Sequence, residues 1–251
     1  MTSTTSDPAL LFADDPSAAA SIQALVRRMD LWPQLLRRQQ EELITHLVPL
    51  DPQWLQERRH DHLAGESLEA VLERHRWSEA DLDLHLARPE AMRRFAEQQF
   101  GPGLEEAFLA AQGGHDQIIY SLLRVRDAGL ARELWIRLEE GEATFAEIAS
   151  TYGEGPEAAR KGVIGPAPMG TINPPELAQL PRTLQSGEVH PPRQLGEWLV
   201  LLRLEQLTPA RFDTAMREFL LNQQLDAFLN ARVQLLLRGE QPDDLHYDSK
   251  P

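Results

Sequence analysis

The chain has 251 residues, 42% of them hydrophobic, enough to supply a core for one large or two small domains. Its formal net charge of −14 opposes binding to nucleic acid or to an anionic membrane surface, where basic patches are needed. With no cysteine there is no disulfide, thiolate nucleophile or thiolate metal site, and no run of about 18 apolar residues is present to cross a bilayer.

Residues 1–16 are polar and rich in Asp and Pro, and read as a flexible leader. They carry neither a basic n-region nor an apolar h-region, so a secretory signal is not expected and a cytoplasmic location is. From 17 to 115 the period is helical. Ile22, Leu25, Val26 and Met29 make one apolar stripe, and Leu35, Leu36, Leu43, Ile44 and Leu47 make the next. Asp51-Pro52, Ser67-Leu68 and Ser78 with Asp81 are start signals, each a capping side chain just ahead of a helical run. Gly65, Pro89 and Gly101-Pro102-Gly103 punctuate the segments, and Gly113-Gly114 is expected to close the block.

The period then turns to β-rich runs, Ile118–Val125 and Trp198–Leu204, with helices between them. After Leu207 it returns to helix. Thr208-Pro209 reads as a start, and Phe212, Met216, Leu220, Leu225, Leu229 and Val233 form an apolar face over residues 208–238. A lone helix of this kind needs a surface to bury against, and the N-terminal helices are the natural one. Residues 239–251 are polar and read as a flexible tail.

Histidines are not arranged to hold a metal. His60 and His62 sit two apart, and on a helix such residues point about 200° from each other. Gly153-Glu154-Gly155-Pro156 lacks the Lys-Ser/Thr of a phosphate loop, and no Gly-x-Ser-x-Gly elbow marks a serine hydrolase. No cofactor or metal is implied.

Across 116–207 the order is strand, two helices, strand, short helix, two strands. Its wording includes Gly141, Phe145, Ala146, Ala149 and Tyr152, the Gly162-Val163-Ile164-Gly165 strand, Leu180–Leu184, Gly187-Glu188-Val189 and Gly196 before Leu199–Leu204. This segment resembles the parvulin-type peptidyl-prolyl isomerases, and with its helical flanks it looks most like SurA-like, cyanobacterial-type members. The resemblance implies an α+β fold, with a parvulin-like βααβαββ domain inserted in a mainly α-helical domain like the SurA N-terminal domain. It also implies action on X-Pro bonds of polypeptide clients.

Isomerising such a bond means crossing a barrier of about 18–20 kcal/mol set by amide resonance, and it needs no nucleophile. An apolar cup for proline, removal of water and a few polar groups suffice. The family's cup positions fall on Ile172 and Leu177, with Trp198 where a histidine is usual. The other histidine position falls on Ser121. The family's Cys or Asp falls near Gly155, beside Glu154 and Glu157. Ser121 and Glu154 are therefore the expected catalytic polar groups, with Ile172, Leu177 and Trp198 binding substrate. Tyr120 and Ser121 alternate across the strand, so only one can face the cleft. A second reading keeps the scaffold without the reaction, as a non-catalytic chaperone or secretion-associated adaptor. Proline-containing polypeptides are the expected partners, an export apparatus is compatible, and neither nucleic acid nor membrane insertion is expected.

Overall fold

The computed structural model describes residues 23–248, so the expected leader 1–16 and Ile22 lie outside the described residues. Contacts divide the chain into two compact units. One comprises the residues up to Leu104 together with those from Thr214 onward, and the other is Glu105–Asp213. The fold is α+β, a four-stranded sheet unit inserted into a mainly helical one.

In the helical unit α1 (Trp32–Leu47), α4 (Glu79–Phe100) and α8 (Thr214–Leu237) pack together, with α2 (Pro52–Leu63) against α4 and α3 (Leu68–His75) between them in sequence. Leu36, Ile44, Leu82, Phe95 and Leu229 are among its most buried apolar side chains, and Phe228 of α8 meets the rings of Phe95 and Phe100 at 5.7 Å. The start signals behave as their chemistry dictates. Asp51 accepts from Gln53 N, Ser67 from Ala70 N, and Ser78 with Asp81 closes a reciprocal capping box.

Leu25 and Met29 of the first apolar stripe are exposed. Three expectations are corrected. Pro89 does not end a segment. It lies inside α4 with its ring exposed, and the helix continues to Phe100. Gly113-Gly114 is likewise helical within α5 (Leu104–His115). Thr208 still pairs with Gln117 across the sheet, so α8 begins only at Thr214. Among the described residues after α8 there is no regular structure, yet Arg232 donates to Asp243 O at 2.7 Å, and Gln99 and Gln98 donate to His246 O and Asp248 O.

The sheet unit runs β1 (Gln117–Val125), α6 (Ala128–Glu139), α7 (Phe145–Tyr152), a 3-10 turn (Pro156–Arg160), β2 (Val163–Pro168), a longer 3-10 segment (Leu177–Thr183), β3 (Val189–Leu195) and β4 (Trp198–Thr208). All pairings are antiparallel, in the order β2-β1-β4-β3. Both faces of the sheet are covered. Leu123, Val125 and Leu201 face α6 and α7 through Ala131, Leu134, Phe145 and Ile148. Tyr120, Leu122, Val200 and Leu202 face the other way, toward Met169, Ile172, Leu177 and Leu180. Gly162, at φ +83°, lets the chain enter β2 close under Phe145 and the Leu122 carbonyl.

Candidate active site

The second face carries a cleft of about 670 Å³, within the ~300–1,000 Å³ usual for ligand pockets. Its floor is β1 and β4, through Tyr120, Leu122, Arg124, Trp198 and Val200. Ile164 of β2 and Leu195 of β3 flank the floor, and Asn173, Pro174, Glu176 and Leu177 form the facing wall. Strand alternation explains the set from β1, because residues 120, 122 and 124 share one face.

Two of the three expected cup residues, Leu177 and Trp198, line this cleft. Ile172 is corrected to the buried layer beneath, 8% exposed and packed among Leu177 and its neighbours. Ser121 is also corrected. It is 1% exposed, on the opposite face, and its hydroxyl donates to Glu205. The alternation between Tyr120 and Ser121 therefore resolves in favour of Tyr120. Glu154 does not line the cleft. It accepts from Arg126 N at 2.9 Å and from its Nη1 at 2.7 Å. That guanidinium lies over the Trp198 ring, 4.1 Å from the centroid, so Glu154 reaches the cleft only through Arg126.

The polar side chains on the cleft floor are Tyr120 and Arg124, with Asn173, Glu176 and Gln194 around them. Glu157, beside the family's Cys or Asp position, is buried, its side chain 4% exposed. It accepts from Arg124 Nε at 2.8 Å and from Nη2 at 2.5 Å. A buried carboxylate needs such a partner, because desolvation otherwise costs more than burial returns. The two hydrogen bonds hold the Arg124 guanidinium above its ordinary value. Burial pushes the Tyr120 phenol up, against the opposing pull of Arg124, so it stays a neutral donor at pH 7. The signal for Arg124 was its phase with Tyr120 and Leu122. Nothing local signalled its pairing with Glu157.

The antiparallel sheet thus carries helices on one face and, on the other, a cleft lined by apolar side chains with a few polar ones among them. Within this unit, residues 127–206 match the family model described as Rotamase, the PPIC-type PPIASE domain. Among solved structures, the chain is similar to peptidylprolyl isomerase PrsA from Bacillus anthracis, with 17% identity over 84% of this chain and 100% of that one and a TM-score of 0.47. For PrsA from Bacillus cereus the identity is 16%, the coverage 92% and 90%, and the TM-score 0.49. A Campylobacter jejuni structure described among SurA-like chaperones has 15% identity, coverage of 77% and 80%, and a TM-score of 0.36. No match was found among curated protein sequences.

Proposed function

We propose that the protein is a peptidyl-prolyl cis-trans isomerase and folding factor that binds X-Pro segments of polypeptide clients in this cleft. The observation that carries the reading is a cleft with Leu177 and Trp198 among its apolar lining, in a unit that matches the PPIC-type domain model. Proline packs between these side chains and over Leu122 and Val200, and the amide loses its water as it enters. A planar amide gains most from hydration of its polar carbonyl, so desolvation costs it more than the twisted form and lowers the barrier between them. The working compartment in this reading is the cytoplasm, which subcellular fractionation checks.

The test is an NMR exchange or protease-coupled assay of the full chain on a panel of X-Pro peptides. Acceleration over buffer that disappears in a folded Leu177→Glu variant is expected, since that change sets a charge in an apolar wall at a cost of several kcal/mol (~2–7 for an unpaired polar group). Undiminished turnover in the folded variant overturns the site.

One observation favours a second reading, client binding without catalysis: among the described residues no histidine lines the cleft. That reading expects suppression of client aggregation with no acceleration on any peptide of the panel. Fast isomerisation with no detectable client binding rejects it.

A further inference from the structure

We propose that Arg124, held side-on by the buried Glu157 carboxylate, is the hydrogen-bond donor that acts on the prolyl nitrogen of the bound peptide. The proposal rests on the isomerase reading and names the group that performs it.

Arg124 lies on the cleft floor, on the same strand face as Tyr120 and Leu122 and paired in register with Val200. Its side chain is 31% exposed, whereas that of Glu157 is 4% exposed. Glu157 engages Nε and Nη2, and Nη1 takes no part in that pair. The guanidinium is thus clamped along one edge while its other edge keeps donors for the cleft. Gly155 makes the clamp fit. Its φ of −91° is open to any residue, but a Cβ built there would stand 2.6 Å from Glu157 Cδ. The space beside Gly155 is filled by the carboxylate that fixes Arg124.

The chemistry follows from amide resonance. In either planar isomer the nitrogen lone pair is delocalised and accepts no hydrogen bond. As the bond twists, the lone pair localises on nitrogen and becomes an acceptor. A preorganised cationic donor at that atom therefore stabilises the twisted state and not the planar ones, which is the condition for acceleration. A donor aimed at the carbonyl oxygen would do the reverse, because the planar oxygen is the richer acceptor. No bond to the protein forms and no proton changes owner. Glu157 is a positioning residue that acts through Arg124.

The experiment measures kcat and peptide Kd separately by NMR exchange, using the full chain and the peptide turned over fastest. Arg124→Met is expected to lower kcat by up to about 100-fold, the scale on which one preorganised donor acts, with Kd changed less than about twofold. Gly155→Ala, which displaces the carboxylate and touches neither charge, should lower kcat in the same sense. Partial recovery is expected in Arg124→Lys, and in Arg124→Ala on adding millimolar guanidinium, which a merely structural role would not produce. If Arg124→Met fails to fold because Glu157 is left unpaired, the double variant Arg124→Met/Glu157→Leu removes both charges and is measured instead. A folded variant that keeps kcat within about twofold, or loses only peptide affinity, overturns the role of Arg124 while the isomerase reading stands. No acceleration by the unmodified protein on any peptide overturns both.

Discussion

The Arg126 guanidinium lies 4.1 Å from the centroid of the Trp198 ring, while Glu154 at 2.7 Å and Glu197 at 3.5 Å hold the same guanidinium from its edge. The indole on the floor of the cleft is thereby set by a cation from the chain just past β1. Such a contact contributes about 0.5–1 kcal/mol at an exposed position. Arg126→Leu is expected to weaken peptide binding about two- to fivefold by this arithmetic, with the fold intact. A peptide titration followed by chemical shift measures it, and an unchanged Kd would mean that Trp198 needs no such support.

Ser121→Ala should leave turnover unchanged, since Ser121 is buried on the face opposite the cleft. The cost is expected in stability, about 1 kcal/mol, because Glu205 loses the hydroxyl but keeps Arg203 at 2.8 Å. Urea unfolding beside the exchange assay separates the two effects. A large drop in kcat without a loss of stability would return Ser121 to the site.

Gly162→Ala combines a φ of +83° with a Cβ 3.0 Å from Leu122 O, 3.1 Å from Ala149 Cβ and 3.2 Å from Phe145 Cε1. Backbone strain of this kind costs about 1–3 kcal/mol, and the neighbours it presses on are core and sheet backbone. The expected result is a lowered unfolding midpoint of the sheet unit, read by hydrogen exchange in β1 and β2. Wild-type protection in the variant would show that this entry to β2 relaxes freely.

The helical unit has its own acid sensitivity. In α4 the Arg93 hydrogen bond, with Arg94 added, lowers the Glu90 carboxyl from 4.5 to about 2, at 2.8 Å and 2.7 Å. A carboxylate whose folded value is depressed contributes stability above its unfolded value and loses it as pH falls through the folded one. The contribution is therefore complete above about pH 4.5 and lost progressively toward pH 2, on the order of 2 kcal/mol after allowance for the exposed rim. Thermal unfolding of Glu90→Gln against the parent across that range should show a difference that vanishes at its acid end. A pH-independent difference would mean the pair acts by packing alone.

Much of the fold was legible because its signals are local. The Asp51, Ser67 and Ser78 caps satisfy backbone donors two or three residues away, so they work wherever the helix ends up. The change of period near residue 117 and its return after β4 follow from side-chain geometry within each element. The same locality explains the failures. Pro89 and Gly113-Gly114 are poor helix residues that the surrounding helix tolerates, which intrinsic preference does not reveal.

The sequence by itself determined the element order of the inserted unit and its resemblance to parvulins, which carries the expectation that Leu177 and Trp198 bind substrate. It also required that Tyr120 and Ser121 face opposite ways. Only the tertiary structure decided which of them faces the cleft. Both faces of β1 are covered by apolar layers, so alternation shows two faces but not which one takes the cleft. The tertiary structure likewise decided that Glu157 is a buried partner of Arg124 rather than a solvated loop residue. That pair joins positions 33 apart in sequence, and a charge so far along the chain is brought within reach only when the sheet closes around it.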